Sequence, residues 1–244
     1  MLIEKDRQEY LILFIINQSE IPVGSGHLSR ELKNYGWDVS EATTGRILAQ
    51  YDSSGFTSKL GYQGRRLTAA GFARFKELEE KKVRTEQGQE FFKVLETRSS
   101  EELIDILVAR RAIERELARL AAIHATGDEI KELWHFQRLQ QERVAHARGG
   151  AAEQDVAFHR ILAKASRNKV LEGAMELIRQ DGQLAPVLEY IRKEVHSVVS
   201  VDHANILKAI EQHDPDKAER AMVDHIDNLI KDVKKYWNKV ESNK

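Results

Sequence analysis

The sequence predicts a mainly α protein in two parts: a small helix–helix–helix–hairpin–helix unit, then an antiparallel all-α bundle. Three observations carry this. Eight of the fourteen glycines fall between residues 24 and 71, and only five follow residue 88. Apolar residues recur at helical spacing through most of the chain. Strand-like alternation is absent from the second half, so long helices with few breaks are the only pattern left there.

The first unit reads element by element. Lys5 to Gln18 carries Tyr10, Leu11, Leu13 and Phe14 at helical spacing, and Pro22-Val23-Gly24 ends it. Ser25 is an expected N-cap for a short helix through Leu28, Leu32 and Tyr35, closed by Gly36. Ser40 caps the next helix, whose apolar face is Ile47, Leu48 and Tyr51, up to Gly55. Phe56 to Leu60 and Arg65 to Thr68 flank Gly61-Tyr62-Gln63-Gly64, a hairpin signal. A helix from Ala69 to Lys82 follows. Residues 1–84 form this unit and a linker helix occupies 85–100, centred on 86–97.

In the remainder, 101–244, Ile104, Leu107, Ile113, Leu117, Leu120 and Ala121 make one stripe, and Ile130, Leu133 and Leu139 another. Later helices are expected near 151–166, 168–181, 184–199, 200–213 and 215–240. Breaks fall at Gly127, Gly149-Gly150, Gly182 and Asp214-Pro215, the last with proline at a first helical position.

Composition narrows the function classes. The chain has no cysteine, so disulfides, thiolate zinc sites and cysteine nucleophiles are excluded, and any metal must be held by His, Asp or Glu. The net charge of −1 carries no global nucleic-acid signal. Split after residue 84, the first part is at +2 and the rest at −3, too small an asymmetry to decide anything. The longest apolar run, Leu11 to Ile16, is far short of the roughly 18 residues that span a bilayer. The expected setting is the cytoplasm, away from membranes.

Three helices and a hairpin are the order of a winged helix, in which the second helix of the helix-turn-helix enters the major groove of double-stranded DNA. Here that helix presents Ser40, Thr43, Thr44 and Arg46 near its N-terminal end, with Glu41 among them. Arg46 suits a bidentate contact with guanine or a phosphate contact. The hairpin adds Lys59, Tyr62, Gln63, Arg65 and Arg66, a basic wing for the backbone or the minor groove. Solvated polar residues on a small structural domain would look similar one by one. It is their joint occurrence in the expected order that favours DNA. The stretch resembles the winged helix of NrpR-type regulators, also found at the front of some ribonuclease R proteins. The matching features are Pro22-Val23-Gly24-Ser25, LSREL at 28–32, and Gly61-Tyr62-Gln63-Gly64-Arg65 leading into Leu67-Thr68, within residues 8–75.

In the second unit Asp155 and His159 lie one helical turn apart and share a face. His203 and His225 sit on two further helices, which a bundle can bring to one interior point. Three imidazoles and a carboxylate suit zinc, nickel, manganese or iron; ligand type alone does not choose among them, and zinc is the first expectation. A single helical histidine is more often a surface or core residue than a ligand. His124, His135 and His146 have no partner pattern, and His213-Asp214 has no complete set around it.

Residues 101–235 resemble the FCD domain, the C-terminal ligand-binding domain of the FadR branch of GntR-type regulators. The motifs are Arg110-Arg111-Ala112-Ile113-Glu114 with Leu117-Ala118 and Leu120-Ala121-Ala122, then DVAFHRILAKASRNKVL (155–171) and DHANILKAIEQHDPDKAERAMVDHI (202–226). The resemblance implies a metal held by Asp155, His159, His203 and His225, and an effector, a small organic acid, facing Arg110. The alternative for Arg110 is a helix salt bridge to Glu114. Asn168 fits the family pattern and equally a helix cap. Residues 20–70 do not show the winged-helix motif that usually accompanies this domain, so the family's DNA-recognition rules do not transfer. Together these readings predict a non-enzymatic, homodimeric regulator. The rival is a metal-dependent hydrolase using the Asp/His site, which lacks an assignable general base.

Overall fold

The computed structural model describes residues 3–96, 99–145, 151–179, 181–197 and 200–242. It divides into two compact units between Val94 and Leu95. No helix among the described residues is long and apolar enough to cross a membrane.

The first unit comprises α1 (Glu4–Gln18), α2 (Ser25–Asn34), α3 (Glu41–Ser53), β1 (Thr57–Lys59), β2 (Arg65–Leu67) and α4 (Ala69–Val94). The two strands pair antiparallel with Thr57 opposite Leu67 and Lys59 opposite Arg65, and Val23 bridges to Arg65 on the other edge. Ile12, Ile15, Ile16, Val23, Leu28, Leu32 and Leu48 form one core cluster, and Leu13, Phe75 and Leu78 form a second beneath the hairpin. Burying each such side chain fully is worth about 1.5–3 kcal/mol, enough to hold short elements that would not persist alone.

Two glycines are required by close approach. A Cβ on Gly64, whose φ is +131°, would stand 2.6 Å from the Val23 carbonyl carbon, so this glycine permits the bridge. A Cβ on Gly71 would stand 2.0 Å from the Phe56 carbonyl oxygen, where the first turn of α4 crosses the entry to β1. Thr68 fixes that turn: its Oγ1 accepts from the Gly71 N–H at 3.0 Å and donates to the Gly55 carbonyl.

Ser40 caps α3 as expected, accepting from the Thr43 N–H at 3.2 Å. Ser25 does not cap α2. The N-cap is Gly24, and Ser25, the first helical residue, sends its Oγ to Glu41 at 3.1 Å. Tyr35, expected on the apolar face of α2, is exposed beyond the helix end. No break separates the helix predicted over 69–82 from a linker helix. The helix runs unbroken to Val94, because its only interior obstacle past Lys82 is Gly88, which has nothing within 4 Å and is tolerated in an exposed helix.

The second unit is all-helical: α5 (Ser100–His124), α6 (Gly127–Ala145), α7 (Ala151–Ala165), α8 (Lys169–Arg179), α9 (Asp181–Glu194), α10 (Ser200–Glu211) and α11 (Pro215–Ser242). The central helix α5 starts at a capping box in which Ser99 and Glu102 exchange side-chain and backbone bonds. Asp214 caps α11 by accepting from the Lys217 N–H at 3.0 Å, with Pro215 at the first position. Asn168 caps α8, accepting from the Val170 and Leu171 N–H groups. Gly182, expected at a break, lies within α9, which begins at Asp181. The break expected at Gly149-Gly150 and His146 lie outside the described residues.

The buried face of α5 is rotated from the predicted stripe. Leu107, Leu117 and Ala121 are buried, but Ile104, Ile113 and Leu120 are only half-buried, and the centre of the face is Leu103, Arg110, Glu114 and Ala118. On α6 the inward positions likewise include Gln137 and Gln140. Reading apolar residues alone misplaced the face because its middle is polar.

Candidate functional site

Polar groups converge inside the second unit. α7 supplies Asp155 and His159, α10 His203 and α11 His225, and one ligand atom from each lies within 4.8 Å of all the others. The three histidines are 2% exposed or less. Their ring centroids stand 4.7–5.3 Å apart, and Phe158 stacks on His203 at 4.2 Å, walling one side with an apolar ring.

Each imidazole turns its Nδ1 toward a separate acceptor. His159 Nδ1 contacts Glu114 Oε2, His203 Nδ1 lies 2.9 Å from Gln140 Oε1, and His225 Nδ1 lies 3.6 Å from Asp202 Oδ2. The three Nε2 atoms are buried and have no hydrogen-bond partner. His159 Nε2 and His203 Nε2 face the Asp155 Oδ1 atom at 3.8 and 3.4 Å. Inward nitrogens with an acceptor behind the ring, as His203 has in Gln140 and His159 in Glu114, are how proteins fix the tautomer that binds a metal, while Asp202 stands outside hydrogen-bond reach of His225.

The charge states agree. Burial pushes the His203 and His225 imidazoles well below the ordinary histidine range, so both are neutral at physiological pH. Burial also opposes ionisation of Asp155, but His159, Arg179, His203 and His225 together outweigh it and hold the carboxyl well below its usual range. Arg179 Nη2 meets Asp155 Oδ2 at 2.9 Å. Glu114 likewise overcomes burial through Arg110, His159 and Arg179 and stays ionised. A carboxylate with neutral imidazoles is the donor state a divalent ion needs. The donors therefore fit the metal implied by the sequence.

Arg110 is 2% exposed and its Nε donates to Glu114 Oε1 at 2.7 Å, so the helix salt bridge exists, buried in the core. Its Nη2 has no hydrogen-bond partner. Glu114, Gln140, Asp202 and Arg179 escaped the sequence reading as site residues. The one available signal was the presence of charged residues on the core face of α5. His213 bonds the Ala122 carbonyl through Nδ1 and belongs to no cluster.

In the first unit, Ser40, Arg46, Tyr62, Gln63 and Arg66 are exposed and Thr43 is half-buried. Arg46 Nη2 lies 3.3 Å from Thr43 Oγ1, and Arg66 Nη2 donates to the Glu20 carbonyl. Two residues depart from expectation. Thr44 is fully buried, its hydroxyl donating toward the Ser25 and Glu41 carbonyls, so it joins α3 to α2 and has no surface to offer DNA. Arg65 is held at 2.8 Å by Asp52, which also accepts from Thr57, so it braces the hairpin against α3.

Comparison with known proteins adds the family. The FCD domain model matches residues 105–228, half of the chain. The chain belongs to the FCD family. A second model, the ribonuclease R winged-helix domain, matches residues 10–84, ahead of the FCD region. The chain is 29% identical over 145 residues to the Uxu operon transcriptional regulator of Escherichia coli K12, covering 55% of this chain and 54% of that protein. It is 30% identical over 123 residues to the HTH-type transcriptional repressor NanR of E. coli K12, covering 49% and 46%. The FCD chain thus spans about half the length of these relatives. The solved structure of E. coli McbR/YncC superposes with a TM-score of 0.50 at 13% identity, covering 97% of this chain and 100% of that one, a likeness of fold.

Proposed function

We propose that this FCD protein is a DNA-binding transcription regulator whose operator binding is modulated by a small organic acid bound at a metal site in the helical unit. The observation that carries the reading is the cluster of Asp155 with three buried histidines whose Nε2 atoms have no hydrogen-bond partner, those of His159 and His203 facing Asp155. The two relatives are by name a transcriptional regulator and an HTH-type transcriptional repressor. In functional terms the reader is residues 1–84, the sensor 101–244, and 85–100 the link between them. The protein acts in the cytoplasm as a homodimer on a two-fold operator.

Asp155, His159, His203 and His225 hold the ion, zinc first, with nickel, manganese or iron also suited to the donors. When bound, the ion supplies a Lewis-acid position that accepts a carboxylate oxygen. The chain's own residues do the rest. Glu114, Gln140 and Asp202 orient the imidazoles, Arg179 keeps Asp155 ionised, and Phe158 limits water. Arg110, with Nε fixed by Glu114, presents Nη2 for the acid. The acid changes DNA affinity only through a difference in its own affinity for the DNA-competent and incompetent states. A hydrolase reading finds no support, because the carboxylate beside the ligands, Glu114, is pinned between Arg110 and His159 and is no proton shuttle.

On the DNA side, Thr43 and Arg46 at the start of α3 face base edges, with Ser40 holding that turn. Tyr62, Gln63 and Arg66 on the wing contact the backbone or minor groove. The test is direct. Metal analysis of the purified chain gives about one divalent ion per subunit, reduced to background in His159→Ala, and footprinting on genomic fragments shows discrete protected sites. Metal at background in the native chain, or no protection at low salt, overturns the corresponding half of the proposal.

A further inference from the structure

Arg192 lies on α9, which packs against α7 and α11, the helices carrying Asp155, His159 and His225. Its side chain is 7% exposed. The paired carboxylate, Asp232 Oδ2, stands 3.7 Å from Nε, beyond hydrogen-bond reach, and Arg192 Nε and Nη2 have no hydrogen-bond partner. Asp232 follows His225 by seven residues on α11, two turns along the same face, so Arg192 sits on the seam that leads to the ligand cluster. Burial pulls its guanidinium below the usual arginine value while Asp155, Asp232 and Asp202 oppose the change, which puts it within the field of the same carboxylate that serves the metal.

Two buried guanidinium groups of the helical unit, Arg110 on α5 and Arg192 on α9, therefore each keep an Nη2 without a hydrogen-bond acceptor. Leaving a buried donor unmade costs about 1–3 kcal/mol, and more for a charged group. Buried arginines in a stable core normally fill their fork, so an unfilled pair on different helices points to a ligand that supplies the acceptors. One carboxylate bound to the ion and Arg110 leaves Arg192 unsatisfied. A neutral hydroxyl would offer it an acceptor but no charge.

We infer that Arg192 is a second anion-binding residue of the effector site, and that the effector carries two acidic groups, one for the ion and Arg110 and one for Arg192. This rests on the acid-effector reading above. It is tested by titrating the zinc-loaded full chain calorimetrically with succinate, malate and citrate against lactate and gluconate. The di- and tricarboxylates are expected to bind at least about tenfold more tightly than the monoacids. Arg192→Gln is expected to remove that preference, weakening the diacids about tenfold or more while leaving monoacid and zinc affinity within about twofold. Arg192→Lys, which keeps the charge and spares the fold, should retain part of the preference. Monoacids binding as well as diacids to the native chain would overturn the inference and leave the acid-effector reading standing. Binding of neither class would overturn both.

Discussion

Replacing Glu114 by Gln removes one charge and no volume, yet it should damage both the core and the metal site. Glu114 serves two donors, with Oε1 accepting from Arg110 Nε at 2.7 Å and Oε2 meeting His159 Nδ1. A glutamine has one acceptor oxygen and one NH2. With the oxygen toward His159, the NH2 confronts the Arg110 N–H. With the oxygen toward Arg110, the NH2 faces His159 Nδ1, which must then become the acceptor, moving the imidazole proton to Nε2 and closing that lone pair to a metal. Arg110 and Arg179 also lose a buried counter-charge, and removing one member of a buried ion pair costs about 3–5 kcal/mol. Losing an orienting carboxylate costs about 10–100-fold in metal affinity, or roughly 1.4–2.7 kcal/mol. Urea unfolding of the metal-free chain should therefore show Glu114→Gln destabilised by about 3 kcal/mol. Competition with a zinc chelator should show affinity down by at least about tenfold. An unchanged midpoint together with unchanged zinc affinity would refute the claim that Glu114 holds His159 in its binding tautomer.

Gly71→Ala should cost about 3 kcal/mol or more, read as lost cooperative unfolding of the first unit, because the new Cβ would sit 2.0 Å from the Phe56 carbonyl oxygen. Arg46→Ala should weaken operator binding by about 1–3 kcal/mol and relax the sequence preference. Arg66→Ala should lower the slope of log affinity against log salt by about one, and Thr44→Val should act on stability alone, all measured by fluorescence anisotropy across a salt series. Arg167 hydrogen bonds draw the Glu129 carboxyl from its ordinary 4.5 down to about 2. The folded value lies below the unfolded one, so this pair's contribution is complete above pH 4.5 and is lost as the pH falls toward 2. The pair is partly solvated, so Glu129→Gln should lower neutral-pH stability by no more than about 1 kcal/mol and flatten that acid limb in denaturation curves.

Much of this architecture was legible in the chain because local chemistry and global fold agree. The hairpin follows from Gly61 to Gly64, the cap of α3 from Ser40, and the start of α11 from Asp214-Pro215. The four residues of the candidate metal site were legible for a different reason. Asp155 and His159 share a helical face by spacing, while His203 and His225 needed the family resemblance to join them. What stayed hidden depends on tertiary approach. An arginine and a glutamate four residues apart look like a solvated salt bridge until α7 and α8 close over them, and nothing local distinguishes Gln140 from the other glutamines of α6. Thr44 and Arg65 depart from the surface pattern for the converse reason. Both are polar residues at groove-facing positions in the pattern, and both are consumed by contacts within the unit. The Ser25 cap failed because Gly24 already supplies the extended backbone a cap needs, leaving Ser25 free to reach Glu41.

Each histidine of the candidate centre has a neighbour that is not itself a candidate ligand: an acid against His159, an amide hydrogen bonded to His203, and an acid 3.6 Å from His225. On the proposed reading, loss of metal binding need not pass through any ligand position. A descendant with leucine at position 114 would still display the four-residue signature and be counted among metal binders by motif, while its His159 ring turned freely between tautomers. The three neighbours also differ as acceptors, two carboxylates and one amide, so the imidazoles are not equivalent donors. Sorting relatives by positions 114, 140 and 202 alongside the ligands should separate working centres from vestigial ones.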